Sequence, residues 1–418
     1  MLPSAIVFVD RPQYGLQFLD RTLAELGCRK ILVIDAEMQQ RGQYSPQDLV
    51  GYDHVFPASI QDESGLQKVQ QEIARSYRVL AVVGFSEISV LPTAFLAEAF
   101  DVRGIGIDVA RRCRNKLRMI EAFARSGVAC PRYFVTDHPD GLEEQIASLG
   151  GYPVIVKPLL GFASFGVIKV DSESGLRGAI NRVKRAARLL LFPYYGLEDV
   201  GTGQVLVQSY VPGVEVAIDG YVQDGKCHII AIIDKPDVSN GPYFPDLMHI
   251  APAQLDAAAT DRIRLGVEAG IAAVGLDNSP FHIEARIYED RVYLLELAAR
   301  VAFVRCIRIA TGIDSLEIMI AQRLGQQPRA EPQWRRHGGI YCITPDRAGV
   351  FDSIENHEQI LQTPGIVEFP IHAKPGQRIA PAPESTGDIA HVLAGAETYA
   401  EVLEILSLAK QRIRVIVR

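Results

Sequence analysis

The chain has 418 residues, 48% of them hydrophobic and 22% charged, with a net charge of −7. That length exceeds one ordinary core and suits two or three packed α/β units, while the acidic balance argues against a nucleic-acid partner, whose binders carry a basic face. No window holds the ~18 consecutive apolar residues of a membrane span, and six scattered cysteines without a CxxC pair read as reduced thiols of a cytoplasmic protein, not as a disulfide frame or a zinc signature.

The opening MLPSAIVFVDRP has no charged leader before its apolar run, so Ala5–Asp10 reads as a first β-strand and not as a signal peptide. Leu16, Leu19, Leu23 and Leu26 share one face of a predicted helix over Gly15–Leu26. Lys30–Ile34 and Val79–Gly84 are further buried strands; strands between helices imply a parallel sheet covered on both faces. No GxGxxG follows the first strand, which weakens a dinucleotide-binding reading. The spacing then predicts a helix over Asn115–Ser126, a turn at Gly127–Pro131, and strands at Arg132–Thr136, Val154–Pro158 and Gly166–Val170. A helix over Ser172–Leu189 carries the basic stretch Arg182–Arg188, read as a solvated face. Phe192–Gly203 reads as a mobile surface loop. Strands return at Gln204–Val211, Glu215–Gln223 and His228–Asp234. A helix over Ala257–Val274 precedes strands Phe281–Ile287 and Arg291–Leu297, joined by a tight turn at Tyr288–Asp290. The remainder mixes short strands, Pro/Gly turns and a helix over Tyr399–Lys410.

Three features carry chemistry. Lys157 ends an apolar strand, where a lysine is costly to desolvate unless it meets an anion, and the small-residue loop Gly161–Gly166 follows. Gln208–Glu215 (QSYVPGVE) ends a strand in a Pro-Gly turn followed by an acid, offering backbone groups to a flat ring and a carboxylate to hydroxyls. Glu284 and Glu296 sit in otherwise apolar strands of one hairpin; pairing across its turn sets Glu284 roughly opposite Leu294, with Glu296 diagonal to it. Two such acids want a cation, and magnesium takes hard oxygen ligands. Each feature alone has an ordinary alternative: a snorkelling lysine, a plain hairpin, a structural salt bridge.

In order, RNKLRMIEAFARSGVACPR, VIVKPLLGFASFGV, VLVQSYVPGVEVAIDGYV, FHIEARI, and LLELAAR with its trailing ATGIDSLEI stand behind an N-terminal α/β region. Together they resemble the ATP-grasp superfamily over nearly the whole chain. Within it the chain is similar to carboxylate–amine ligases that include bacterial L-amino acid ligases of the bacilysin-synthetase type. Glu296-Leu-Ala-Ala-Arg300 and the stretch Tyr243–Leu255, which resembles their substrate loop, support this.

The resemblance implies an α/β ATP-grasp fold behind a Rossmann-like parallel-sheet domain. The implied divisions are 1–112, then 113–325 with a lid at about 139–208, then 326–418. It implies ATP with Mg2+ (Mn2+ as an alternative), small carboxylate and amine substrates, no membrane or nucleic acid, and room for a homodimer. Residue by residue, Lys116 and Lys157 would contact the phosphates; Ser164, Phe165 and Gly166 would lie in the loop above them. Gln208 and Val211 would flank adenine, Glu215 would bind ribose, and Glu284 and Glu296 would hold magnesium. Arg300 would stabilise the acyl phosphate, with Lys235 as a further catalytic candidate; Asp246 and His249 would meet the substrate. Three positions depart from the common pattern: Ala163 replaces a loop glycine, Gln208 an acid, and Ala298 an asparagine that often serves as a metal ligand.

The expected reaction is ATP-dependent amide formation through an acyl phosphate. Bicarbonate carboxylation or phosphoryl transfer is the alternative, and a nucleotide-holding module without turnover is the third reading. Beyond Arg300, Arg305 and Arg308 share a helical face. They either pair with acids such as Asp314 or Glu317, or reach the pocket and favour a substrate with a second carboxylate.

Overall fold

A computed structural model of the chain describes residues 1–10, 20–188, 203–237, 241–245, 247–328, 333–382 and 387–418. The expected loop over 192–203, except Gly203, the first part of the helix over 15–26, and Asp246 lie outside the described residues.

The early apolar runs form four parallel strands, β1 (Ser4–Val9), β2 (Arg29–Asp35), β3 (His54–Ala58) and β4 (Arg78–Gly84), in the order β3-β2-β1-β4. Ala5, Val7 and Val9 pack into one core cluster, and Ile6 and Phe8 into another on the opposite face. Burial on both faces is why β1 reads as an unbroken apolar run. β3 was not anticipated, because His54-Val-Phe-Pro-Ala58 is short and only its last residue is buried.

A second sheet is antiparallel: β5 (Tyr133–Thr136), β6 (Val154–Pro158), β7 (Ile168–Val170) and β8 (Val205–Ser209), ordered β5-β8-β6-β7. Val154, Val156, Val205 and Val207 pack beneath helices Glu143–Leu149 and Glu173–Ala186. The period of two turns Ile155, Lys157 and Gln208 to the other side, where they line a cavity. On helix Glu173–Ala186 and its extension, Val183 and Ala187 are buried while Arg182, Arg185 and Arg188 are exposed, so the basic stretch is a solvated face.

The third sheet is large. Its members are β9 (Val214–Gln223), β10 (Lys226–Asp234), β11 (Met248–Ala251), β12 (Ser279–Tyr288), β13 (Arg291–Ala298) and β14 (His337–Ile343), followed by two of the last five strands. Those five are β15 (Gly349–Glu355), β16 (Ile366–Glu368), β17 (Arg378–Ile379), β18 (Ala390–Ala396) and β19 (Arg414–Val417). The order is β13-β12-β9-β10-β11-β14-β18-β16, while β17, β15 and β19 form a small separate sheet. Helix Tyr399–Arg412, opened by a capping box between Thr398 and Glu401, lies on β14 and β18. Gly339 permits that approach: a Cβ there would stand 2.5 Å from Val402 and 2.8 Å from Leu406.

The hairpin β12–β13 corrects the expected register. Its two-residue turn places Glu289 and Asp290 at φ 48° and 58°, both left-handed, as the tightest hairpin turns require. Ala285 faces Leu294, and a bulge then sets Glu284 directly opposite Glu296. Simple counting across the turn has no way to include the extra residue. Two helices the sequence reading did not delimit, Val304–Thr311 and Ser315–Arg323, follow the hairpin. None of the six cysteines forms a disulfide, and no described helix is long and apolar enough to cross a membrane.

Candidate active site

A cavity of about 510 Å³ lies where the second sheet, the hairpin β12–β13 and the C-terminal strands face one another. The register-paired Glu284 and Glu296 line it, with side chains 24% and 26% exposed. Lys116, the first residue of helix Lys116–Arg125, is 5% exposed and donates to Glu296 Oε1 at 2.9 Å and to the Gly161 carbonyl at 2.9 Å. Asn115 caps that helix through the Leu117 and Arg118 amides, which fixes where Lys116 emerges.

Lys157 differs from its neighbours. It is 6% exposed and makes no hydrogen bond or salt bridge among the described residues. Burial pushes its ammonium down to about 8, partly opposed by the field of Glu296. An unpaired lysine facing a cavity is a group waiting for an anion.

Glu215 is shared by two cations. Lys235 Nζ reaches its Oε1 at 2.6 Å and Glu284 Oε1 at 3.1 Å, while Arg286 Nε reaches Oε2 at 2.8 Å. Although burial works against it, the field of Lys235 and Arg286 holds the Glu215 carboxyl below the usual range. Arg286 Nη1 also donates to the Val211 carbonyl at 2.7 Å. That interaction uses one of the two lone pairs of the Val211 C=O and leaves the other as an acceptor. Gln208 is 3% exposed, and its Nε2 lacks a partner among the described residues. The loop over Gly161–Gly166 bends tightly, with Ala163 at φ 50° and Ser164 at φ 55°. Left-handed backbone costs a residue with a Cβ about 1 kcal/mol or more, so Ala163 stores strain where glycine would not. Phe165 is buried and lines the cavity with Ser164; Gly166 has φ 70°, within easy reach only of glycine.

Arg300 is positioned by a residue the sequence reading missed. Its Nε donates to Glu87 Oε2 at 2.6 Å, and Arg114 Nη1 donates to Glu87 Oε1 at 2.6 Å. Glu87 comes from the turn after β4, far away in sequence, and is 7% exposed. Burial would raise its carboxyl, but the two guanidinium groups win and hold it at about 2. A second missed pair is His282–Asp219, joined at 2.7 Å; the other Asp219 oxygen accepts the Phe303 amide at 2.8 Å and anchors the chain just after Arg300. Neither Glu87 nor Asp219 belongs to a local motif; only the fold brings them in.

His249 from β11 is fully buried, lies against Phe303 with centroids 4.3 Å apart and ring planes tilted by 36°, and lines the cavity. Asp246 lies outside the described residues. Arg305 also lines the cavity and meets Glu368 at 3.3 Å. Arg308 lies 3.6 Å from Glu368 and 3.8 Å from Asp314. Asp314 was an expected partner; Glu368, on β16, was not.

Comparison with known proteins matches residues 150–307 to an ATP-grasp domain and 341–418 to the L-amino acid ligase C-terminal domain 2. The alanine–anticapsin ligase of Bacillus subtilis is 26% identical over 287 residues, 64% of this chain and 59% of that protein. The chain therefore spans about three-fifths of the length of that relative. The L-amino acid ligase of Bacillus licheniformis shares the fold with a TM-score of 0.86 at 22% identity, over 100% of both chains. Phosphoribosylglycinamide synthetase of Anaerococcus prevotii gives a TM-score of 0.70 at 17% identity, over 99% of this chain and 100% of that one. Residues 150–307 thus resemble an ATP-grasp domain, and residues 341–418 resemble the C-terminal domain 2 of the L-amino acid ligases.

Proposed function

We propose that the chain is an ADP-forming carboxylate–amine ligase acting on an amino acid or a related small acid. The observation that carries this is the bulge-set pair Glu284–Glu296, facing Lys116 and Lys157 in one cavity beside Arg300, with Lys235 bonded to Glu284 behind it. Two adjacent carboxylates with a shared open side fit magnesium, which keeps water and substrate phosphate oxygens among its ligands. When bound, the ion neutralises charge on the transferring phosphoryl group.

The chain's own residues do the rest by position and charge. Lys157 and Lys116 hold phosphate oxygens. Glu215 meets the ribose hydroxyls, and the β8 edge from Gln208 to Val211 receives the adenine. The substrate carboxylate oxygen attacks the terminal phosphorus, and ADP leaves. The amine then attacks the acyl carbon, phosphate leaves, and the amine loses a proton. Arg300, fixed by Glu87, lies ready to offset the negative charge that develops on the acyl oxygen. His249, and Asp246 with it, bound the substrate end.

The test is ADP release with magnesium and panels of amino acids offered singly and in pairs, beside bicarbonate and simple alcohols. Release that needs an amino-acid pair, with a dipeptide as product, supports the ligase. Release driven by bicarbonate or an alcohol alone replaces it with carboxylation or phosphoryl transfer.

A further inference from the structure

Across the cavity from the two glutamates, the C-terminal strands present a group of side chains that the proposed reaction leaves unused. Cys342 on β14 and His391 on β18 are register partners in neighbouring strands, and Asp388 lies three residues before His391. The Cys342 sulfur, a carboxylate oxygen of Asp388 and a ring nitrogen of His391 all lie within 4.8 Å of one another. Among the described residues no other trio of histidine, cysteine and acid converges so closely. All three line the cavity.

We propose that Cys342, Asp388 and His391 bind a zinc ion through one sulfur, one carboxylate oxygen and one imidazole nitrogen. The donor set is the first argument. Sulfur with imidazole and carboxylate suits zinc, whereas magnesium and calcium want oxygen alone. The second argument is the far side of the imidazole. His391 Nε2 faces Asp388, and its Nδ1 lies 3.0 Å from His372 Nε2. A ligating histidine almost always donates its other N–H to a second group, which fixes ring and tautomer; here a neutral His372 ring would be the acceptor. His372 is itself tied down, its amide donating to the Ile389 carbonyl at 2.8 Å. The third argument is rigidity: two of the three donors stand on strands of the large sheet that are hydrogen-bonded on both sides.

Donor atoms around tetrahedral zinc lie about 3–4 Å apart, so side-chain shifts of about 1 Å would fit the ion, with Asp388 and His391, now in direct contact, moving apart to admit it. Thiolate and carboxylate together balance the ion's charge. The nearby cation, Arg305, has Glu368 at 3.3 Å as its own counter-ion. Three protein ligands leave a fourth position turned to the cavity, the arrangement of zinc sites that take a small ligand. β12 and β14 are four strand spacings apart in the sheet, about 19 Å, so this site is separate from the Glu284–Glu296 pair.

The experiment loads the full chain with excess zinc, dialyses it against metal-free buffer, and measures bound metal by elemental analysis. It is repeated with cobalt(II), read by absorption. The expected result is one zinc per chain and a thiolate-to-cobalt charge-transfer band. Cys342→Ser and His391→Ala should lose both with an unchanged circular dichroism spectrum. His372→Ala should bind zinc about 10- to 100-fold more weakly. Glu296→Gln should keep the full complement, since its carboxylate belongs to the other site. Wild type without stoichiometric zinc after dialysis overturns the proposal. So does a cobalt spectrum without the thiolate band, or zinc content unchanged in a folded Cys342→Ser. Metal content is read without turnover, so this outcome is independent of the ligase assignment.

Discussion

Glu87→Gln is the sharpest test of how the reaction centre is built. Glu87 is 7% exposed and bridges two guanidinium groups, each at 2.6 Å. Its carboxyl sits at about 2 instead of 4.5, which corresponds to about 3 kcal/mol of preference for the charged form in the folded chain. Glutamine keeps the shape but leaves Arg114, 3% exposed, without a buried counter-charge. Breaking a buried pair from one side costs about 3–5 kcal/mol. Urea unfolding at pH 7 should therefore show a loss of about 3 kcal/mol. The sign with pH follows from the depressed carboxyl. Its contribution is complete above about 4.5 and drains away as pH falls toward about 2, because the unfolded chain takes up the proton first. The gap between wild type and variant should thus be constant near neutrality and shrink below pH ~4.5. Turnover should fall as well, since Arg300 loses the group that orients it, while ATP affinity stays the same. A loss under about 1 kcal/mol, or a gap that does not shrink in acid, would refute the reasoning.

Glu296→Gln should lower ADP formation by about two to three orders of magnitude in a chain that still folds, with a stability loss because the buried Lys116 is left without its counter-charge; near-normal turnover would remove Glu296 from the metal site. Lys157→Ala should weaken ATP about 10- to 100-fold by calorimetry, the worth of one charge-assisted bond. In wild type the same affinity should decline as pH rises through about 8, where Lys157 gives up its proton, and the variant should lack that step; a pH-independent wild type would contradict the assignment. Arg305→Ala and Arg308→Ala test substrate choice: if Arg305 reads a second carboxylate, wild type prefers dicarboxylic to matched neutral acids and Arg305→Ala loses that preference. A neutral preference in wild type would leave Arg305 as the structural partner of Glu368.

The sequence carried the elements whose pattern is local. β6 runs over Val154–Pro158 and the long helix over Ala257–Val274, as the apolar spacing predicts. The candidate residues Lys116, Lys157, Gln208, Glu215, Glu284 and Glu296 all line one cavity. What stayed hidden is whatever depends on three-dimensional return of the chain. Glu87 meets Arg300 from 213 positions away, and Glu368 reaches back to the helix over Val304–Thr311. The bulge between Glu284 and Ala285 was equally invisible, because adding one residue to a hairpin changes no residue type. Cys342, Asp388 and His391 have no metal-ligand spacing in sequence; strand pairing makes them neighbours.

The pairings inside the cavity bear on how a nucleotide and a metal would enter together. Lys116 holds Glu296, Lys235 holds Glu215 and Glu284, and Arg286 holds Glu215. In the proposed reading, a phosphate that takes Lys116 must strip Glu296 of its counter-charge, which is costly at this degree of burial. A magnesium ion that takes Glu296 alone strips Lys116 in the same way. Arriving together, each supplies the partner that the other removes, so the two binding steps favour one another, and by reciprocity equally. Lys157 is outside this exchange because no carboxylate holds it among the described residues. It is the cation that can engage a phosphate with no partner to displace, which is the physical reason for placing the first contact with ATP there.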